Sequence, residues 1–521
     1  MSQSLIADSL RAGGATIGQM NVDAFAADMT LRGEKVALFR DYVAGNQRNF
    51  LTDRMRAQLN LPPAPASSQG AGTSIGAAFF GQRKRSVATQ QARESTAHDF
   101  SANYCSKVVQ TMSARLDAAD VTVTSATETD TETLATWLDT LRDANNFDSL
   151  QTQTYDAALG DGSAFVMADW NADNQRVDWT VQPAYDGTDG VIAITDACGN
   201  VQVAIKIWRK ATGGAVLDTD RVNVYYPDRI EYYIRKDAGG LMPFVPEGES
   251  SHILPWPEEI GIPVVPFVNR RKAYTTDGKS EIEDVIPLQD GLNRSMYSLV
   301  ATAENTGFGI GFATGCEVPT VLQPGTVIEV SADGQPLVAA NDSGVSYHEP
   351  KFQRIKGELP TAFVDTANWF VEQISIVSDT PIPALMGSDA SSGEALKQRE
   401  SGLLAKVKRA QIEYGNAWER LVRLSHAITN WMGQQLPQIV GVSIRWASAE
   451  IRNETEVVTL LIQLQQAGIV DQRTVLEAAA FAFNWGAPDI DAIIARTEEA
   501  SLNRSNDLIR AGFNPLGGFA A

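Results

Sequence analysis

The amino-acid sequence predicts an α+β protein in which helices and an antiparallel sheet occupy separate stretches of the chain. Strand-like runs follow one another without a helical pattern between them, and turn residues separate the runs. These runs are Ser163–Trp170, Arg176–Val181, Gly190–Ile194, Val201–Trp208, Arg221–Tyr226 and Glu231–Arg235. Helical patterns lie before and after this stretch, whereas a parallel α/β sheet would need strands and helices in alternation. The 521 residues exceed one ordinary hydrophobic core, so we expect roughly two to four domains.

The N-terminal part of the chain combines helical patterns with a long polar stretch. Apolar residues recur at helical spacing within residues 20–61, and again over 103–116 and 131–160. Residues 62–92 are rich in Pro, Ser, Gly and Ala, which is typical of a surface loop or a disordered insertion. The densest basic run of the chain, Arg83-Lys84-Arg85, lies in this stretch and is either a solvated charge cluster or a contact site.

After the strand-like runs, an extended segment leads into a long helix. Prolines punctuate Pro263–Asn269, and Asp277-Gly278 is a turn signal. A helical pattern rich in Ser, Asn, Asp and Gln then covers residues 280–306, with Ser280 and Glu283 spaced as in a capping box. The pattern ends at Gly307.

The C-terminal half alternates short strands with helices. Strand and turn signals occupy residues 307–352, a second helix is predicted over 359–378, and a loop follows from Asp379 to Gly393. The remaining predictions are a long helix over 394–434, a strand over 442–448, and helical segments from Glu454 onward.

Composition limits the function classes. The net charge of −20 would repel a polyanion, so it indicates either simple solubility or an acidic surface beside which DNA moves without sticking. No run of 18 apolar residues occurs, so we expect no transmembrane helix. The three cysteines lie far apart, which argues against a disulfide framework.

No motif in the sequence supports catalysis, a cofactor or a metal. Gly278-Lys279-Ser280 resembles the end of a phosphate-binding loop, but Ala273 stands where that motif needs its first glycine. The four histidines share no metal-ligand spacing, and neither C-x-x-C nor G-x-S-x-G occurs. We therefore expect a protein that is not an enzyme and that holds no cofactor.

Acidic residues recur every seven positions around the second predicted helix. They are Glu358, Asp365, Glu372 and Asp379. Seven residues are nearly two helical turns, so the four carboxylates would share one face, and no Lys or Arg occurs between Lys356 and Lys397. Such a face is either an ordinary solvated surface or the wall of a channel.

Taken in order, these pieces resemble the portal (head–tail connector) proteins of long-tailed double-stranded-DNA bacteriophages. Tyr155–Trp170 (YDAALGDGSAFVMADW) is similar to the entry into the wing sheet of that family. Pro263–Asn269 followed by Ser280–Glu304 resembles the approach to the first stem helix. Pro381–Leu396 (PIPALMGSDASSGEAL) resembles the tunnel loop and the Ser-Gly-x-Ala-Leu start of the long helix after it.

The resemblance implies a helix-rich multidomain architecture of wing, stem, clip and crown that forms a ring around a central channel. The implied parts are an N-terminal wing part (1–279), a first stem helix (280–306), a clip (307–352), a second stem helix (353–380), a tunnel loop (381–393), a C-terminal wing part (394–450) and a crown (451–521). The implied tunnel-loop residues are Pro381, Pro383, Gly387, Ser388, Asp389, Ser391, Ser392 and Gly393. The acidic face would line the channel.

The resemblance also implies the partners and the location. Portal proteins form a ring, typically of twelve copies, at one capsid vertex, and double-stranded DNA passes through it during packaging and ejection. Large terminase, adaptor or head-completion proteins, the major capsid protein and scaffolding protein would contact the ring, which would assemble in the host cytoplasm and remain in the virion without a membrane. The alternatives are an ATPase or nuclease of a DNA-packaging motor, or another structural protein of a capsid.

Overall fold

The computed structural model of the chain describes residues 32–47, 102–195, 200–210, 219–235, 245–253, 256–271, 278–307, 310–314, 351–355, 361–386, 393–449, 454–467 and single residues between 473 and 496. These residues form both helices and sheets, which confirms the α+β class. The chain divides into two units, Met1–Ala447 and Ser448–Ala521. The predicted loop 62–92, with Arg83-Lys84-Arg85, lies outside the described residues.

The first unit contains all but one of the elements named in this paragraph. Its helices are α1 (32–44), α2 (Tyr104–Ser113), α3 (Glu128–Ala144), α4 (Phe147–Asp161), α5 (Ile286–Gly307), α6 (Thr361–Ser378), α7 (Ile382–Met386) and α8 (Gly393–Trp431). Its strands are β1 (Asp120–Thr124), β2 (Ser163–Asn171), β3 (Arg176–Pro183), β4 (Gly190–Thr195), β5 (Val201–Lys210), β6 (Thr219–Tyr225), β7 (Arg229–Arg235), β8 (Val245–Ile253), β9 (Val264–Val268), β10 (Ile310–Thr314), β11 (Lys351–Ile355) and β12 (Gly441–Arg445). The second unit contains α9 (Glu454–Gln466).

The strands pair antiparallel in four sheets. Strands β4 to β8 form a five-stranded meander, and β2 lies between β3 and β9 in a three-stranded sheet. The remaining sheets are the pairs β1–β12 and β10–β11. Apolar side chains of both larger sheets, among them Phe165, Val191 and Tyr225, share one buried cluster with Val36 of α1. Helix α1 therefore contributes to the core of the two sheets.

The sequence predicted every strand of the meander except β8. Strand β8 reads VPEGESSHI, and its Pro, Gly and Ser residues have low strand propensity. It lies at the edge of the sheet, where such residues are tolerated because only one side of the strand pairs. Pro266 is accepted for the same reason, since β9 is an edge strand that pairs only with β2.

Aromatic side chains join α4, the three-stranded sheet and α8. Tyr155 of α4 stacks on Tyr414 of α8 with ring centroids 5.4 Å apart, and its hydroxyl accepts a hydrogen bond of 2.8 Å from Nε1 of Trp418. The Trp418 ring also packs edge-on against Phe267 of β9 at 4.6 Å. Burial raises the pKa of Tyr155 far above its usual range, so this hydroxyl stays protonated and polar contacts within the cluster persist at any physiological pH.

An arginine on α1 ties this helix to the end of α4 and to the segment between β3 and β4. The Arg40 guanidinium donates to both carboxylate oxygens of Asp161, at 2.7 Å from Nη2 to Oδ2, and to the carbonyl oxygen of Ala184 at 2.6 Å. It also pairs with Asp186. Burial raises the pKa of Asp161 to about 6, although Arg40 acts in the opposite direction. Arg40 thus neutralises a carboxylate that burial would otherwise protonate.

Several predicted boundaries are wrong. The stretch predicted as one helix over 131–160 consists of α3 and α4, because Asn146 adopts a left-handed conformation with φ 48°. The helix predicted over 280–306 begins at Ile286 rather than Ser280, since Pro287 suits a first helical turn and residues 281–285 form turns. Residues 353–355, assigned to the second stem helix, belong to strand β11.

The capping-box prediction at Ser280 is also wrong. The Ser280 hydroxyl accepts from the backbone N–H of Ile282 at 3.2 Å and donates to the carbonyl oxygen of Gly160. It therefore joins the segment before α5 to the end of α4 instead of capping a helix.

Replacing Arg40 with Met should destabilise the protein by roughly 2–3 kcal/mol at pH 8, because the buried Asp161 carboxylate loses its cation. The pKa of Asp161 is already raised in the folded state, so folding favours its protonated form, and the stability from this group falls as pH rises through about 6. The loss of stability in R40M should therefore be smaller at pH 5 than at pH 8. Denaturant unfolding at both pH values measures the free energy of unfolding of R40M and the wild type.

The matched control is the double variant R40M/D161N, which removes the carboxylate together with its partner. It should recover most of the loss at pH 8. An equal loss at the two pH values, or no recovery in the double variant, would contradict the role assigned to Arg40.

Candidate functional site

Helices α5 and α6, which the resemblance assigns to the stem, pack along each other within one chain. Helix α5 has 22 residues and α6 has 18, so the pair is about 27–33 Å long at 1.5 Å per residue. Gly291 permits the close contact, because a Cβ atom there would lie 2.5 Å from Cζ of Phe370. Strands β10 and β11, which pair with each other, connect to the far ends of the two helices.

Buried amide side chains hold the first turns of α5. Gln289 Oε1 accepts from the backbone N–H of Tyr104 at 3.0 Å, and its Nε2 donates to the carbonyl oxygen of Ala102. Asn293 Oδ1 accepts from the N–H of Ala102 at 3.2 Å, and its Nδ2 donates to Gln47 Oε1 at 2.9 Å. These bonds fix α5 against the start of α2 and the end of α1.

A carboxyl group beside these amides has a raised pKa. Burial raises the pKa of Asp290 to about 6, and the Tyr42 hydroxyl, which donates to Oδ1 at 2.5 Å, opposes the shift. The sequence showed that this helix is rich in polar residues, but not that Gln289 and Asn293 bind backbone groups near α2. The signal in the sequence was these two amides, four residues apart and therefore on one face of the helix.

The predicted acidic face is only partly realised. Asp365 and Glu372 lie on one exposed face of α6. Helix α6 ends at Ser378, and Asp379 follows in a left-handed conformation with φ 52°, so Asp379 does not continue this face. Glu358 lies outside the described residues. The expectation that all four carboxylates share one face is therefore not met at Asp379, and the channel-lining role of the stripe stays a prediction.

Large apolar side chains occupy the same exposed arc of α6. Trp369 is 51% exposed and Ile376 is 66% exposed. They are spaced three or four residues from Asp365 and Glu372, which places all four on neighbouring rows of the helix surface. The opposite face, with Val371, Ile374, Ser375 and Ser378, is buried. A wholly solvated helix face seldom carries a Trp and an Ile this exposed.

The segment predicted as a flexible loop begins with a helix. Pro381 is buried, and residues Ile382–Met386 form α7, which packs against α2 and α6. Pro383 lies in the first turn of α7, where its missing N–H costs nothing. Gly393 is the first residue of α8. The prediction of a loop is therefore wrong for 382–386 and at Gly393, which are helical. The other predicted loop residues lie outside the described residues, namely Gly387, Ser388, Asp389, Ser391 and Ser392.

A polar junction joins α6, α8 and the segment before α5. Lys406 of α8 donates to the carbonyl oxygen of Ser378 at 2.8 Å, at the C-terminus of α6. The same ammonium pairs with Glu281, whose carboxylate is fully buried and accepts from Asn269 Nδ2 at 2.9 Å. Nη1 of Arg270 lies 3.8 Å from Oε2 of Glu281. A cation at a helix C-terminus is favourable because it offsets the negative end of the helix dipole.

The junction surrounds a cavity of about 100 Å³. The basic and acidic residues that line this cavity are equal in number. The basic residues are Arg270, Lys406 and Arg409, and the acidic residues are Glu281, Asp379 and Glu413. Asp379 lies close to Gly402 of α8, where a Cβ would be 3.1 Å from Oδ1. Sequence reasoning missed this junction, because its members come from three separate segments of the chain, 269–281, 378–379 and 402–413, and share no motif.

Gly278-Lys279-Ser280 has structural roles in the described part of the chain. Gly278 packs against Asn269, where a Cβ would be 2.7 Å from the carbonyl oxygen, and Lys279 pairs with Asp284. Among the described residues, no group of three or more His, Cys, Asp or Glu side chains is arranged to hold a metal ion. Within the same residues, no helix is long and apolar enough to span a membrane.

Comparison with known proteins identifies the class as the portal proteins of bacteriophages. A family model described as "Phage portal protein, SPP1 Gp6-like" matches residues 82–500. The match covers most of the chain, and the chain belongs to this family, whose members are structural head–tail connector proteins.

Curated relatives carry the same description. The portal protein of Mycobacterium phage L5 is 26% identical over 211 residues, which are 39% of this chain and 42% of the relative. The portal protein of Mycobacterium phage D29 matches with the same identity and coverage. The aligned region thus spans less than half the length of these relatives.

Replacing Lys406 with Met should destabilise the protein by about 3–5 kcal/mol, because the fully buried Glu281 carboxylate loses its closest cation and Ser378 loses a hydrogen bond. The midpoint of denaturant unfolding measures the change. Lys107→Met is the matched control, since Lys107 is an exposed lysine of α2, and it should change stability by less than about 0.5 kcal/mol. Adding Glu281→Gln to K406M should recover part of the loss. Equal effects of K406M and K107M would refute the buried junction.

Proposed function

We propose that the chain assembles into a ring at one capsid vertex and forms the conduit through which double-stranded DNA is packaged and ejected. Membership in the portal family supports this proposal, and the exposed face of α6 is the observation that carries it. One chain leaves Trp369 and Ile376 in water, although burying such side chains is worth roughly 1.5–3 kcal/mol each. Packing between copies around an axis would bury them.

The acidic character of the chain suits the proposed channel. B-DNA carries roughly one negative charge per 1.7 Å of its axis, so a basic wall would bind it tightly through counterion release. Twelve chains of net charge −20 would carry about −240, and contacts with DNA would stay weak. Asp365, at the N-terminal end of the exposed face of α6, is the residue of the predicted stripe that we assign to the channel border, while Glu372 lies between Trp369 and Ile376 on the part of the face assigned to packing between copies. Asp379 and Glu358 have no assigned contact with the channel.

The parts of the proposed ring follow the described elements. Helices α5 and α6 form the stem, β10 and β11 belong to the clip, and the unit Ser448–Ala521 forms the crown. The clip end would dock large terminase during packaging and adaptor or head-completion proteins afterwards, while the outer surface would meet capsid and scaffolding proteins. The chain itself performs no catalysis in this proposal, because terminase supplies ATP hydrolysis.

The segment between α6 and α8 is the proposed constriction of the channel. Pro381 and Leu385 are buried against this chain and anchor the base of the segment, while Met386 at the end of α7 is exposed. The small polar residues of the predicted tunnel loop, Gly387, Ser388, Asp389, Ser391 and Ser392, would follow this base and contact DNA through backbone N–H groups and hydroxyls rather than through cations.

Purified protein should form rings with a central hole under negative-stain electron microscopy, because the exposed apolar face of α6 favours association. Analytical ultracentrifugation at micromolar concentration should show a single large species, typically of twelve chains. Monomers alone in both measurements would overturn the proposal.

Replacing Asp365 with Lys should slow DNA packaging in assembled particles, and the effect should be larger at low salt, where charges are screened less. Asp365 is a cleaner probe than Glu372, which lies between Trp369 and Ile376. Packaging is measured as DNA protected from nuclease at two ionic strengths. Glu132→Lys, an exposed acid on α3, serves as control and should leave packaging unchanged. Equal packaging by D365K and the wild type at low salt would remove Asp365 from the channel.

A further inference from the structure

The C-terminal half of α6 exposes a face of mixed chemistry. Trp369, Glu372 and Ile376 follow one another at spacings of three and four residues, as in the contact rows of paired helices. Asp365 continues the row toward the N-terminus. Helix α6 carries no Lys or Arg, so every charge on this face is negative.

Helix α8 exposes a second mixed face with the opposite sign. Lys408 and Ile412 are one turn apart, and Ile412 is 66% exposed. Arg409 borders the same row and donates to the carbonyl oxygen of Arg271 at 3.5 Å. The row continues through the exposed, uncharged Ser401, Ala405 and Asn416 to the half-buried Glu419 and the exposed Arg423. The face is therefore apolar at its centre and basic at its edge.

The acidic face of α6 needs a basic surface as its partner, and acidic residues outnumber basic ones in this chain. At a net charge of −20, a random pairing of two surfaces of this protein would bring like charges together. Two exposed helix faces fit each other instead, because each carries a large apolar side chain, the charges on α6 are all negative, and basic residues exceed acidic ones on α8. Apolar contact would supply affinity, and the charges would set which faces meet.

We propose that the exposed α6 face of one copy docks on the exposed α8 face of the next copy. Trp369 and Ile376 pack on Ile412 of the neighbour, and Glu372 lies beside its Lys408. Because the two faces differ, the contact is heterologous, and repeating it generates a ring or a helix rather than a closed dimer. This inference rests on the proposed ring and adds which surfaces build it. We call this contact between copies the seam. A ring brings the acidic α6 faces of all copies close to one axis, and the basic residues at the seam reduce the repulsion between them.

The test exchanges the charges of Glu372 and Lys408 in the full-length chain. Mass photometry measures the protein concentration at which half of the chains are in rings. E372K should raise this concentration about tenfold or more, because it places Lys opposite Lys408, and K408E should do the same with two acids. The double variant E372K/K408E should restore assembly to within about threefold of the wild type. The exposed-site controls E132K and K107E should assemble like the wild type.

Circular dichroism shows whether each variant is folded. Recovery of assembly in the double variant shows that the single variants failed because the contact was lost. If the wild type forms rings and both single variants assemble normally, the proposed function stands and this seam is wrong. If the single variants fail and the double variant does not recover, Glu372 and Lys408 do not meet and the pairing is overturned. Absence of rings in the wild type would instead refute the proposed function itself.

Discussion

The position of helix α8 against the three-stranded sheet is the constraint on which the rest of the first unit depends. Tyr414 and Trp418 are buried in the middle of this 39-residue helix and contact Tyr155 and Phe267, which belong to α4 and β9. Aromatic side chains of this size bury the most apolar area per residue, and their edge-to-face geometry restricts orientation. Helix α8 is thereby held at one register along the sheet.

That register decides where the helix pair α5–α6 is attached. Gly402 and Lys406 lie two to three turns before Tyr414, and they meet the end of α6 and the buried Glu281. A shift of α8 by one turn would take from Glu281 its closest cation, which is costly in a buried site. On the other side, the amides of Gln289 and Asn293 hold the first turns of α5 against backbone groups at Ala102 and Tyr104. The pair is thus fixed at its base by polar contacts, while Trp369 and Ile376 of α6 remain exposed.

Local patterns predicted the elements well where periodicity is strong. Six strand runs, the helix pair and the long helix after it were recognisable, because alternation and helical spacing are properties of neighbouring residues. The order of these elements also carried the resemblance to portal proteins, which the family match supports. Boundaries were less predictable: Ser280 had the spacing of a helix cap, yet its hydroxyl bonds to the carbonyl oxygen of Gly160, a partner that sequence spacing cannot reveal.

The sequence by itself determined the α+β class, the acidic character and the absence of basic residues on α6, because these follow from composition and short-range spacing. Only the tertiary structure decided which charged residues are paired and which are exposed. Glu281, Lys406 and Ser378 are distant in sequence and meet only because α8 crosses the end of α6. Asp379 kept the seven-residue spacing but left the acidic face, since the helix ends one residue earlier and turns toward Gly402. Spacing places residues on a helix face only as far as the helix continues. The sequence pattern already predicted the end of this helix at residue 378, and packing against α8 decided which group Asp379 meets.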